Sequence, residues 1–166
     1  MNYLSKEQLQ KIKSQFATVE YDDSQAEPAL YVARSEFLDL LKSLKEKVSL
    51  SFDRLANYTA VDYKDYFEIV YNLFSRRYNR WVTVKVKLED HDNPEIESVT
   101  GIWEGANFEE RETYDLMGIR FLNHPNLTRI LMPDDYDAFP LRKDFVPLEP
   151  KIEGGELVWH KPSTIS

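Results

Sequence analysis

The chain has 166 residues, 42% hydrophobic and 13% aromatic, which excludes a disordered chain and is enough to bury a real core. Lys plus Arg number 21 against 29 Asp plus Glu, a formal charge of −8, and this acidic balance argues against a nucleic-acid partner, whose phosphates call for cationic charge. There is no cysteine, so disulfides, Cys-based zinc sites and Cys-ligated iron–sulfur clusters are excluded from this chain. No apolar run approaches the roughly 20 residues needed to span a bilayer, and the N-terminus has no apolar signal-peptide core. The expectation is a soluble, cytoplasmic protein, or one held at a membrane only through partners.

Ser5 and Gln8 have capping-box spacing, Leu4 and Leu9 form a hydrophobic staple, and Leu9, Ile12 and Phe16 recur at helical spacing. Residues 18–22 and 29–33 read as short strands separated by a polar turn at 23–28. A second helix is predicted from Ser35, with Glu36 in its first turn and Lys42, Lys45 and Lys47 toward its end, matching the macrodipole. Its buried stripe is Phe37, Leu38, Leu41, Leu44 and Val48. Residues 52–63 and 66–75 are rich in β-branched and aromatic residues and joined by a short link around Asp65. Residues 81–88 alternate, with Val82, Val84, Val86 and Leu88 on one face and Trp81, Thr83, Lys85 and Lys87 on the other: a strand with one buried and one wet face. The basic cluster 76–80 before it reads as a solvated turn.

The fold class is therefore α+β: a two-layer α/β sandwich (helix, two strands, helix, three strands) over residues 1–95. Short helices are expected at 96–103 and 106–117. From Arg120 the chain should be mostly irregular, because Pro125, Pro133, Pro140, Pro147, Pro150 and Pro162, six of the eight prolines, lie beyond it. So long an irregular segment needs another surface to lie on. The expected organisation is a sandwich domain at 1–95, a partner-binding segment at 96–150 and a tail at 151–166.

The densest chemistry lies between residues 104 and 146. The helix around 109–117 has no wide apolar stripe and is poorly suited to docking on its own core alone. Arg111 and Asp115 are spaced to pair at i, i+4, with Glu112 close by. Glu112, Asp115 and His124 resemble part of a carboxylate metal site, but the Glu-x-x-His element is missing. Pro125 directly after His124 suggests a turn with an orienting or capping imidazole, and an acid–base role would need a second group and a pocket. His91 and His160 read as surface residues. With no nucleophile elbow, phosphate loop or dinucleotide fingerprint, no catalytic, cofactor or metal residue is expected.

The run Glu110-Arg111-Glu112-Thr113-Tyr114-Asp115-Leu116-Met117, six residues, then His124, Arg129-Ile130-Leu131 and finally Pro140-Leu141-Arg142-Lys143-Asp144-Phe145 resembles the signature of the 30 kDa subunit of respiratory complex I, the C-type subunit of the bacterial NADH-quinone oxidoreductase. Thr128 departs from it, standing where that signature has a basic residue or proline. The resemblance implies a cofactor-free accessory subunit in the peripheral arm of a proton-translocating NADH (or ferredoxin):quinone oxidoreductase, on the cytoplasmic face of the membrane. Iron–sulfur clusters, flavin and quinone would sit in partner subunits. The chain would support the 49 kDa-type quinone-site subunit and neighbouring iron–sulfur subunits.

On that reading the signature is an interface strip. Arg111, Arg129, Arg142 and Lys143 would donate to carboxylates or carbonyls, and Glu110, Glu112, Asp115 and Asp144 would accept from partner donors or from this same set. Gly118 would cap the helix; Pro125, Pro133 and Pro140 would stiffen the path past His124 and Leu141. Arg142→Ala is then expected to weaken assembly more than it unfolds the chain. The alternatives are a homologous subunit of a membrane-bound nickel–iron hydrogenase or formate hydrogenlyase, and a free-standing adaptor.

Overall fold

Helix α1 (Lys6–Lys13) begins where its capping box places it: the Gln8 amide donates to the Ser5 hydroxyl (3.3 Å) and the Ser5 amide to the Gln8 side chain (3.1 Å). The computed structural model describes residues 2–24 and 27–160; residues 25 and 26 of the expected 23–28 turn, and the chain after 160 with Pro162, lie outside the described residues. Helix α2 (Arg34–Glu46) starts one residue before the expected Ser35, after Ala33, which makes no side-chain cap. Glu36 instead uses its carboxylate to accept from the Thr18 amide and hydroxyl (2.7 and 2.6 Å) and the Ala17 amide (3.2 Å), tying α2 to the loop after α1. Phe37, Leu40, Leu41 and Leu44 are buried on α2; Val48, expected in that stripe, is 66% exposed because the helix ends at Glu46.

The strands β1 (Glu20–Asp22), β2 (Ala29–Val32), β3 (Arg54–Asp62), β4 (Phe67–Ser75) and β5 (Arg80–Leu88) form one sheet in the order β1-β2-β5-β4-β3. All neighbours are antiparallel except β2 and β5, whose parallel pairing follows from the crossover through α2. The alternation of β5 holds: Val82, Val84, Val86 and Leu88 are buried, joined on that face by Phe67, Ile69, Tyr71 and Leu73 of β4. Phe37 of α2 stacks on Tyr71 at 6.2 Å, so the helices cover this face. The opposite face is wetter, with Lys85 paired to Glu68 at 3.0 Å. The turn between β4 and β5 is exposed and basic as expected, with Arg76 paired to Asp53 (2.5 Å).

Beyond β5 two expectations are corrected. Residues 96–103 are no helix: β6 (Glu95–Glu97) pairs in parallel with β7 (Arg120–Leu122), the two joined through helix α3 (Ala106–Met117). Pairing with β7 holds 95–97 extended, and the amide of Ser98 donates to the Leu122 carbonyl (2.8 Å) and that of Val99 to the Glu110 carboxylate (2.7 Å). Arg34 holds this small sheet to α2 through Glu97 (3.0 Å), and Arg120 bonds Glu95 (2.5 Å). One hydrophobic core runs on through Ile96, Val99, Trp103, Met117, Ile119 and Phe121.

The second correction lies in the tail. Residues 123–148 are irregular as expected, but β8 (Glu149–Glu153) and β9 (Glu156–His160) form an antiparallel hairpin. Its two-residue turn is Gly154-Gly155, at φ of 62° and 94°, the left-handed geometry that such hairpins require.

Leu41 is fully buried between α2 and the sheet. Leu41→Ala should lower unfolding free energy by about 2–5 kcal/mol, read as a shifted urea midpoint with unchanged slope.

Candidate partner-binding segment

Helix α3 carries the expected signature, and its acidic residues meet opposite fates. Asp115 is fully buried. Its Oδ2 accepts the amides of Ile130, Leu131 and Met132 at 2.9, 2.7 and 3.0 Å, and its Oδ1 accepts from Arg129 at 2.7 Å. Burial pushes this carboxyl up, but the three amides and the guanidinium outweigh it and hold it below the usual range. The expected Arg111–Asp115 pair is therefore replaced. Arg111 reaches across to the Thr128 carbonyl (3.1 Å) and hydroxyl (3.0 Å), so the residue that departs from the family pattern is used directly. Arg129 also donates to the Tyr136 carbonyl (2.7 Å) and lies over the Phe139 ring.

Glu110 is equally buried but has no cation. It accepts from the Val99 amide (2.7 Å) and the Ser98 hydroxyl (2.6 Å). Burial raises its carboxyl to about 7 against those two bonds. His124 lies 3.9 Å away, its imidazole likewise shielded from water. Its Nδ1 accepts from the Asn126 amide (3.0 Å), which leaves the proton on Nε2, facing the Asn107 carbonyl at 3.3 Å. This is the capping imidazole in a turn that the His124-Pro125 pair suggested. Burial lowers the pKa of His124.

Gly118 ends α3 at φ 73°, and a Cβ there would come within 2.6 Å of the Phe139 ring. The expected cap is thus also a close approach. Pro133 sits in a turn closed by the Tyr136 amide on its carbonyl, while Pro125 is exposed and Pro140 half-buried.

The Pro140–Phe145 block closes back on the sandwich. The Leu141 amide donates to the Leu116 carbonyl (2.9 Å), and Arg142 donates to the carbonyls of Met117 (2.7 Å) and His91 (3.1 Å). The Arg142 guanidinium lies between the Phe67 and Phe139 rings, at 5.3 and 5.2 Å. The Lys143 amide caps Asp62 Oδ2 (2.8 Å), while its ammonium lies 5.8 Å from the Tyr63 ring. Asp144 is exposed. The cations expected to reach a partner are thus largely spent on this chain's own carbonyls and carboxylates.

His91, expected at the surface, stacks on Phe67 (4.6 Å) and contacts Asp62 at 3.1 Å. That contact was missed because nothing local links residues 62 and 91. Among the described residues, Glu112, Asp115 and His124 do not gather as metal ligands; the group that does is Asp62, His91 and Asp144. Both Asp62 oxygens already accept backbone amides, those of Lys64 and Lys143, which gives that carboxylate a structural role without an ion.

Three outcomes follow from this geometry. Asp115→Asn should destabilise the chain by about 3–5 kcal/mol in urea melts, since it leaves Arg129 buried without its partner. Arg142→Ala should itself lower the thermal midpoint, by about 4–8 °C, because the Met117 and His91 carbonyls lose a common donor. Glu110 is raised in the folded state, so the stability it contributes is present below its unfolded pKa near 4.5 and is lost as pH rises toward about 7. The difference in unfolding free energy between Glu110→Gln and the parent should therefore grow in favour of the variant across that window.

Comparison with known proteins matches the same stretch. A sequence model described as respiratory-chain NADH dehydrogenase, 30 Kd subunit, matches residues 30–151. The C-type subunit of the NADH-quinone oxidoreductase of Moorella thermoacetica is 43% identical over 150 residues, covering 89% of this chain and 97% of the relative. Its counterpart from Geobacter sulfurreducens is 41% identical over 141 residues, covering 81% and 85%. Among solved structures, a chain from the membrane-bound sulfane sulfur reductase, an archaeal respiratory membrane complex, shares the fold with a TM-score of 0.68 at 24% identity, with 84% of each chain covered. With more than half its length matched and relatives of such identity, this chain belongs to the respiratory-chain NADH dehydrogenase 30 Kd subunit family.

Proposed function

We propose that the chain is the C-type accessory subunit of a proton-translocating NADH (or ferredoxin):quinone oxidoreductase. It contributes no active site and holds no cofactor. It lies on the cytoplasmic face and supports the 49 kDa-type quinone-site subunit and its iron–sulfur neighbours during assembly. No helix among the described residues is long and apolar enough to cross a membrane; on this reading attachment runs through those partners.

The observation that carries this reading is how segment 123–148 spends its polar groups. Arg111, Asp115, Arg129 and Arg142 are bonded within the chain, and Ile130, Leu131 and Leu141 face outward, Leu131 at 60% exposure. The hairpin repeats the pattern, with Ile152 and Leu157 paired in register and exposed. An irregular segment held rigid from within, with these apolar side chains set among the exposed Asp134, Asp135, Asp137 and Asp144, is a surface prepared for docking, because the ordering entropy is already spent. The contact therefore combines apolar side chains with exposed aspartates on a frame that the bonded arginines stiffen.

Affinity capture through this chain from gently solubilised membranes, with mass spectrometry and a quinone-reductase assay, tests the reading. Co-purifying 49 kDa-type and iron–sulfur subunits with quinone reduction support it. The same partners with hydrogen evolution and bound nickel assign the chain to a hydrogenase complex, and recovery of the chain alone from the soluble fraction overturns both. In the supported case, Leu131→Asp with Leu157→Asp should cut partner recovery at least tenfold and leave the isolated chain's thermal midpoint within about 2 °C, as surface changes do.

A further inference from the structure

A groove of 460 Å³ lies beside β3, lined by the five consecutive residues 58–62 together with Glu109, Glu112, Leu116, Leu141 and Lys143. Consecutive strand residues alternate between faces, so a cavity against one face would be lined by every second residue. A wall made of five in a row is the backbone edge of the strand. β3 is the terminal strand of its sheet, and among the described residues no strand pairs with its outer side. Residues 54–62 hold no proline or lysine, and the one bulge falls at residues 55–57, outside the groove; only at Asp62, buried and bonded by the Lys143 amide, is the edge covered.

The far wall is acidic. Glu109 has an Oε2 shielded from water without a hydrogen-bond partner, and burial together with the neighbouring Glu112 raises its carboxyl. Neither carboxylate makes an ion pair among the described residues: Arg111 bonds Thr128, and Lys143, at the groove's end, lies 5.8 Å from the Tyr63 ring and pairs with neither. Among the described residues the two also lack a third group within metal-ligand reach, so a lone cation finds no complete site there. A second copy of this chain would bring its own −8 and its own two glutamates to the edge. An extended peptide carrying a lysine or arginine satisfies both walls at once, its backbone pairing with β3 and its cation meeting Glu109 and Glu112.

We propose that this groove receives an extended, lysine- or arginine-bearing segment of a neighbouring subunit as a sixth strand beside β3. The inference rests on the accessory-subunit reading and adds a second contact, which adjoins the apolar surface at Leu141 and differs from it in chemistry. The test places the photo-crosslinker p-benzoylphenylalanine at Thr59, with Lys11 on α1 as control position, in the affinity-purified complex. The expected result is a crosslink from position 59 to one partner peptide with a basic residue within a few positions. Glu109→Gln with Glu112→Gln should reduce it at least fivefold while the isolated chain's thermal midpoint stays or rises. An intact complex with no crosslink at 59, a crosslink to a peptide without basic residues or to a second copy, or a lowered midpoint in the double variant overturns the inference alone. Failure to recover any complex overturns the accessory-subunit reading and the inference with it.

Discussion

The C-terminal half of this protein depends on one carboxylate. Asp115 collects three successive backbone amides, 130–132, and the Arg129 guanidinium around a fully buried side chain. A buried charge is costly unless every lone pair is used, and here nearly all are. The same bonds that solvate the carboxylate hold the chain in its reversal after β7. Arg129 then passes the constraint to the Tyr136 carbonyl, and Phe139 sits against Gly118 and Arg142. Without that anchor, residues 123–148 would have no ladder of their own, and proline would prevent them from building one.

Glu110, five residues earlier on the same helix, shows the alternative solution. With one amide and one hydroxyl but no cation, its carboxyl rises toward neutrality and favours the protonated form. Its Ser98 partner also contacts the Thr100 hydroxyl at 2.7 Å, and hydroxyl rotation lets that contact accommodate either state of the acid. One helix thus buries two carboxyl groups, one kept ionised and one that favours protonation. Their environments differ because Asp115 faces a returning chain with free amides, whereas Glu110 faces the already bonded loop after β6.

These internal uses change what the signature means physically. A run rich in Glu, Arg and Asp reads as a surface that seeks charged partners, yet its charges mainly stiffen an irregular segment. What remains for a partner includes Ile130, Leu131, Leu141, the hairpin's Ile152 and Leu157, the exposed Asp134, Asp135, Asp137 and Asp144, and Glu109 and Glu112, which make no ion pair among the described residues. Rigidity of that kind lowers the entropy cost of association.

The elements whose determinants are local were legible from residue order. The Ser5–Gln8 box set the start of α1, period-two alternation identified β5, and Gly118 marked the end of α3. The absence of cysteine and the spacing from Glu110 to Asp144 were equally readable, and the latter led to the family. The Gly154-Gly155 hairpin was readable too, from a turn signal that proline density had overshadowed. The parallel pair β6–β7, the contact of His91 with Asp62, and the partners of Asp115, Arg111 and Arg142 were not. Each joins residues 14 to 51 positions apart, and a charged side chain on an amphipathically ambiguous helix looks the same whether water, a partner or its own chain completes it. Sequence determined which groups needed partners; only the tertiary structure, by returning amides and carbonyls through the irregular segment, decided that most of those partners lie within the chain.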